Sequence, residues 1–311
     1  MNYTYFYKEK YDVIGSFHPA ERYDIFIATY NFTDRVNKPP QNIIADEKIW
    51  IMLPEYQDDV FLAGKTQYYL KGTRDYEGVR KFCSSLNLKE HGKVCIDSTG
   101  FMVPHLLIML RCLRNHVSRP IVDVMYSEAD RYADAEKTIF SDSFSAVSQI
   151  EGYEGRHVSK METDLMIIAS GYDHSRIRDV ANYKKRAAKI QLIGFPSMKA
   201  DMLQENVLAA STAELFSVCP LSNSIFAPAY DPFTPAQAIK DYIDKKQQER
   251  AITNLYMAPL SSKPQALGMA LYYLWEDGLN KPVSIVYPEC EKYVQDNAIG
   301  VGRIWIYKNV V

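Results

Sequence analysis

Seven consecutive residues, Ser170-Gly171-Tyr172-Asp173-His174-Ser175-Arg176, set a carboxylate beside an imidazole, with a guanidinium two positions further on. An imidazole next to a carboxylate can take up or deliver a proton near neutral pH, which makes His174 and Asp173 the candidate catalytic residues if the chain is an enzyme. Arg176 can grip a phosphate through two parallel N–H bonds, and Ser170 and Tyr172 offer hydroxyls to the same ligand. An earlier segment, Thr29-Tyr30-Asn31-Phe32-Thr33-Asp34-Arg35, repeats the hydroxyl and the arginine at the same spacing and lacks the histidine. Thr29, Asn31 and Arg35 are therefore candidates for ligand binding without proton transfer. For either arginine the plain alternative is a salt bridge to a neighbouring helix.

Two small polar loops carry the remaining candidates. Asp97-Ser98-Thr99-Gly100 follows the apolar run Lys93-Val94-Cys95-Ile96, and its amides and hydroxyls suit a phosphate or the edge of a nucleotide. Leu260-Ser261-Ser262-Lys263-Pro264-Gln265 adds a cation that can neutralise one phosphate charge. Asp97, Ser98 and Thr99 from the first loop, and Ser261, Ser262, Lys263 and Gln265 from the second, join the ligand-binding set. A serine or threonine ahead of a helix serves equally as an N-cap, worth about 1 kcal/mol. Glu128 and Glu289 each follow a tyrosine by two positions and suit either acid/base work or ion pairs with Arg131 and Lys292. Arg156 and Arg303 follow glycines, where backbone can approach closely. Walker A, G-x-G-x-x-G, G-x-S-x-G, H-E-x-x-H, C-x-x-C and kinase patterns are all missing from the sequence, which weakens assignment to any common enzyme class; no metal and no cofactor are expected.

Positioning these loops requires short buried strands that alternate with helices. Tyr23 to Ala28, Lys48 to Leu53, Lys93 to Ile96 and Ile121 to Tyr126 are predicted strands, and so are Asp164 to Ala169, Ile190 to Ile193, Asn254 to Met257 and Val283 to Tyr287. Helices are predicted over 76–86, 106–113, 177–188, from about 199, over 235–250 and over 265–275, with Pro104 and Pro264 opening two of them. The pattern is that of an α/β protein with largely parallel sheets. Its landmarks recur: Ile27-Ala28-Thr29, Arg35-Val36 and Lys48-Ile49-Trp50-Ile51 return 141 residues later as Ile168-Ala169-Ser170, Arg176-Ile177 and Lys189-Ile190-Gln191-Leu192. Tyr126-x-Glu128 is echoed by Tyr287-x-Glu289, and Gly155-Arg156 by Gly302-Arg303. The expectation is an internal duplication, with two Rossmann-like halves at 1–157 and 158–311 and a ligand in the cleft between them. In such sheets ligands gather beyond the carboxyl ends of the strands, where all four loops fall.

Composition narrows the classes further. The chain has 311 residues, 47% hydrophobic and 24% charged, with a net charge of −2, so no broad electrostatic footprint for extended nucleic acid is expected. Lys184-Lys185-Arg186 with Lys189 makes one basic helical face, read as solvated surface. The five cysteines are scattered in sequence and fit a reduced, cytoplasmic setting. No apolar run is long enough to span a bilayer, and the first residues do not form a secretory signal, so a soluble protein with no membrane partner is expected.

The segments Cys95-Ile96-Asp97-Ser98-Thr99-Gly100 and Leu255 to Lys263, each running from a strand through a small polar loop into an apolar helix, resemble those of CARF-type Rossmann-like ligand sensors. The related SAVED domains resemble two such units in one chain. The resemblance implies a cyclic-oligonucleotide or other nucleotide-like ligand held by Ser98, Thr99 and Gly100 in one unit and by Ser261, Ser262 and Lys263 in the other. It also implies an effector protein as partner in a prokaryotic signalling or antiviral defence system. Here the first loop lacks the lysine and the second lacks the glycine. The expected function is thus a ligand-binding sensor or adaptor. A nucleotide hydrolase or transferase using Asp173 and His174, and a scaffold for a protein complex, are the alternatives.

Overall fold

The computed structural model describes residues 2–56, 61–72, 74–132, 144–171, 173–200, 202–212, 224–276, 278–290 and 298–311. In chain order the strands are β1 (Lys8–Tyr11), β2 (Arg22–Thr29), β3 (Ile44–Met52), β4 (Thr66–Tyr69), β5 (Lys93–Asp97), β6 (Ile121–Ser127), β7 (Arg131–Tyr132) and β8 (Phe144–Gln149), then β9 (Leu165–Ala169), β10 (Ala188–Gly194), β11 (Ser224–Ala227), β12 (Leu255–Pro259), β13 (Val283–Cys290), β14 (Ala298–Ile299) and β15 (Ile304–Tyr307). The helices are α1 (Asp34–Asn37), α2 (Tyr76–Ser85), α3 (Val103–Arg114), α4 (His174–Tyr183), α5 (Met202–Thr212), α6 (Phe233–Glu249) and α7 (Lys263–Trp275).

Two large, mostly parallel sheets organise these elements. One has seven strands in the order β1-β15-β6-β5-β2-β3-β4 and the other six in the order β11-β10-β9-β12-β13-β8. Every residue of β9 and β12 is buried, as expected of strands covered on both faces. The seven-stranded core collects Phe26, Ala28, Cys95, Met125 and Ile306, and a cluster in the other sheet collects Met166, Ile168, Tyr256, Ala258 and Val286. Taken from β4 and from β11, both sheets run five parallel strands, β4-β3-β2-β5-β6 and β11-β10-β9-β12-β13, and then one antiparallel strand, β15 or β8.

The compact units do not divide at 157/158. One comprises Phe6–Ser143 with Glu291–Val311, and the other Met1–Tyr5 with Phe144–Cys290. The antiparallel strands are the reason. β8 follows β6 in sequence yet pairs with β13, and β15 follows β13 yet pairs with β6. The chain after β8 stays with β13: Ile150 N donates to Ile285 O at 2.8 Å and Ile285 N to Tyr153 O at 3.1 Å. A Cβ on Gly155 would lie 2.1 Å from the carbonyl oxygen of Val283, so only glycine admits this approach.

Local signals set the helix ends. Asp75 accepts from Gly78 N at 2.8 Å to cap α2, and Ser262 accepts from Gln265 N at 3.3 Å to cap α7. The expected helix over 177–188 is displaced to α4, because Asp173 caps it three residues earlier and the chain turns into β10 at Ala188. Lys184, Lys185 and Arg186 therefore lie beyond the helix and make no helical face; Lys189 Nζ instead donates to the carbonyls of Lys184, Lys185 and Ala187. Among the described residues no helix is long and apolar enough to cross a membrane.

Candidate functional site

In the seven-stranded unit the ends of β2, β5 and β6 gather a buried polar cluster. Asp97, the last residue of β5, is 1% exposed. Its Oδ1 accepts from Thr99 N at 2.9 Å and from the Thr99 hydroxyl, while Oδ2 has no partner among the described residues. Burial pushes the Asp97 carboxyl up to about 7, against the opposing pull of the Thr99 donors and of Arg35. Ser98 and Thr99 are turned to internal use. Ser98 Oγ donates to Met125 O at 2.8 Å and Thr99 Oγ1 accepts from Ser127 N at 2.9 Å, so both fasten β5 to β6.

Arg35, on α1, completes the cluster. Burial works against its charge, but the hydroxyls of Tyr132, Tyr126 and Tyr56 outweigh that and hold the guanidinium above its ordinary value. Arg35 bonds Tyr126, yet its Nε has no acceptor among the described residues. Tyr56 donates to Gly100 O and also bonds Asn31; burial lifts its hydroxyl to about 12. Asn31 Oδ1 in turn holds the loop closed by accepting from Thr33 N at 2.9 Å and Thr33 Oγ1 at 2.7 Å. A Cβ on Gly100 would come 2.8 Å from Thr29 Oγ1, which places the two loops in contact. Thr29 Oγ1 and Ser127 Oγ, both buried, also lack partners among the described residues.

Thr29 Oγ1, Arg35 Nε, Asp97 Oδ2 and Ser127 Oγ are thus four buried polar atoms at adjoining strand ends, each without a hydrogen-bond partner among the described residues. Leaving such groups unpaired costs about 1–3 kcal/mol apiece, so a ligand or water that bonds them is strongly favoured. Tyr56, Tyr126, Tyr132 and Ser127 are members that sequence reasoning missed. The Tyr126-x-Glu128 echo pointed near them but drew attention to the carboxylates. Close by, Glu55 and His105 are both buried, with His105 Nε2 3.6 Å from Glu55 Oε1, and burial pulls the imidazole below its usual value. Glu55 also accepts from Arg74 N at 3.0 Å.

The corresponding loops of the six-stranded unit make more internal bonds, although Asp173 Oδ2, Gln191 Oε1 and Gln265 Oε1 are likewise buried without a hydrogen-bond partner among the described residues. Asp173 Oδ1 accepts from Ser175 N and Arg176 N, both at 3.1 Å, and so caps α4; His174 is exposed in the first turn. No hydrogen bond joins the Asp173 and His174 side chains among the described residues. Tyr172 lies outside the described residues. Ser170 is buried and donates to Asn206 Oδ1 at 2.8 Å while Gln191 Nε2 donates to Ser170. Arg176 is buried with its guanidinium 4.8 Å from the centre of the Tyr287 ring, so each matched arginine meets the tyrosine of the Y-x-E echo in its own unit. Ser262 serves as the α7 cap, Ser261 and Lys263 are half-buried, and Gln265 is buried with Nε2 donating to Ala227 O at 3.2 Å.

Glu128, Glu289 and Arg303 make bonds within their sheets. Glu128 is 1% exposed and accepts at Oε2 from Arg303 Nε and Nη2, both 3.0 Å, and at Oε1 from Trp305 Nε1 at 2.7 Å. The expected surface pair with Arg131 gives way to this buried one, because β15 brings Arg303 and Trp305 alongside β6. Glu289 accepts from Ser148 Oγ of β8 at 2.8 Å. Arg156 is exposed beyond β8, whereas Arg303 precedes β15, so these two arginines hold different places in their sheets.

Among the described residues no group of three or more His, Cys, Asp or Glu side chains could hold a metal ion. No protein-family model, curated protein or solved structure matches the chain.

Proposed function

We propose that this protein is a ligand-binding module whose seven-stranded unit receives a nucleotide-like or otherwise phosphorylated small molecule at the ends of β2, β5 and β6. The observation that carries this role is the set of four unpartnered buried polar atoms, Thr29 Oγ1, Arg35 Nε, Asp97 Oδ2 and Ser127 Oγ. Arg35 supplies the charge for an anionic group, the threonine and serine hydroxyls suit its oxygens, and Asp97, when protonated, donates rather than repels. Tyr56, Tyr126 and Tyr132 give the guanidinium a partly apolar surround in which its attraction for an anion is less screened than in water. The common strand order of the two sheets, and the repeated arginine–tyrosine contact, support a duplicated origin for the units. Catalysis through Asp173 and His174 has less support, since Asp173 Oδ1 caps α4 and no hydrogen bond joins the two side chains among the described residues.

Thermal shift against cyclic and linear oligonucleotides, mononucleotides and inorganic phosphate tests the role. A ligand at 100 times its dissociation constant stabilises by about 2.7 kcal/mol. Arg35→Gln is expected to abolish the shift and His174→Ala to leave it intact. Absence of any shift across the panel, or a shift that survives Arg35→Gln, removes the assignment.

A further inference from the structure

Cys83 and Cys112 are far apart in sequence, and their spacing alone marks neither as a partner of the other. The fold brings them together: α2 packs on α3, and the thiol of Cys83 near the end of α2 is hydrogen-bonded with that of Cys112 near the end of α3. Neither is in a disulfide. Cys83 is buried, at 1% exposure, while Cys112 is half-buried and reachable from solvent. Cys95, by contrast, lies wholly inside the sheet, in β5. The two helix thiols are thus an outer sulfur open to a small oxidant and an inner one placed to resolve it.

We propose that Cys83 and Cys112 form a redox-active pair that closes to a disulfide between α2 and α3 when a peroxide-class oxidant reaches Cys112. The Cys112 thiolate attacks the peroxide oxygen, the O–O bond breaks, and Cys112 sulfenic acid and one water form. The Cys83 sulfur then attacks the sulfenic sulfur. The S–O bond breaks, the S–S bond forms, and the hydroxyl leaves with the Cys83 proton as a second water. Two thiols have lost two electrons and two protons, and one hydrogen peroxide has become two waters. A low-molecular-weight thiol reverses the step by exchange at the outer sulfur. The hydrogen bond with Cys112, and burial after it, hold the Cys83 thiol protonated, so the order of attack runs from the outside inward.

Mass spectrometry of the intact, fully reduced chain after treatment with hydrogen peroxide tests the pair. The expected result is loss of two titratable thiols, a mass lower by two hydrogens, and one cross-linked peptide joining residues 83 and 112, all reversed by dithiothreitol. Cys112→Ser is expected to leave Cys83 unmodified. Cys83→Ala, a small apolar replacement chosen to keep the helix packing, is expected to trap Cys112 as a sulfenic or sulfinic acid, with no loss of a second thiol. Over-oxidation of Cys112 in the unaltered chain without a cross-link overturns the proposal, as does a cross-link to another cysteine or a Cys112 inert to peroxide while the fold is intact.

Discussion

Removing the Glu128 carboxylate tests whether β15 is an integral strand of the seven-stranded sheet beside β6. In the folded chain this carboxylate is 1% exposed and takes three donors, two from Arg303 and one from Trp305. Glu128→Ala leaves the buried indole N–H of Trp305 without a partner, at a cost of about 1–3 kcal/mol. Arg303 is 30% exposed, so water recovers part of its lost pairing, and the full penalty of about 3–5 kcal/mol for splitting a buried ion pair does not apply. The expected loss is about 3 kcal/mol. Glu128→Gln, which keeps an acceptor for the indole, should cost about 1 kcal/mol. Urea unfolding of the full chain, followed by hydrogen exchange in β6 and β15, measures both. Glu128→Ala and Trp305→Phe should be coupled by about 1 kcal/mol in a double-mutant cycle, because each removes one half of the same bond. A loss for Glu128→Ala below about 0.5 kcal/mol, the range of an unremarkable surface change, would refute the reasoning.

Other outcomes follow from the same geometry. Asp97 has its carboxyl raised to about 7 in the folded chain against about 4 in the unfolded one, so the folded form binds the extra proton between those values. Its contribution to stability is therefore greatest at low pH and falls as pH rises from about 4 through about 7; Asp97→Asn should flatten that slope in urea titrations run across the window. Asp173→Ala should cost about 1 kcal/mol through loss of the α4 cap, and Asp173→Ser should restore most of it, as read from denaturant midpoints. Residues 158–311 alone lack β8 and carry β15 without its sheet, so they should give broad, non-cooperative melting by circular dichroism, whereas 144–290 should melt cooperatively. Gly155→Ala should destabilise the start of β13 more than Gly15→Ala, which meets open space, destabilises its own surroundings, when the two are compared by thermal melting.

The central parallel strands were legible because strands covered on both faces are written as continuous apolar runs, as in Leu165–Ala169 and Leu255–Pro259. Pro264 and Ser262 likewise announced the start of α7. The peripheral strands were not. β1 and β4 are four residues long and half-exposed, and nothing local in Phe144–Gln149 or Ile304–Tyr307 names a partner so distant in the chain. Of the loop candidates, Asp97, Thr29 and Arg35 come together at one place, while Ser98, Thr99, Ser170 and Asp173 Oδ1 make bonds that hold strands and helix ends. Such choices depend on which atoms come within about 3 Å after folding, which residue spacing does not encode.

The reciprocal placement of β8 and β15 sets a schedule for synthesis. Domains commonly fold in the order they emerge, at about 5–20 residues per second. Here β6 is made early, yet the antiparallel strand beside it is Ile304–Tyr307, so the earlier sheet stays open on that side until those residues, about 180 positions later, have left the ribosome. The later sheet, whose extra strand β8 has already emerged, can close first. A nascent chain of this kind carries its unfinished edge through translation, and a stop codon shortly before residue 304 damages the half that was made first.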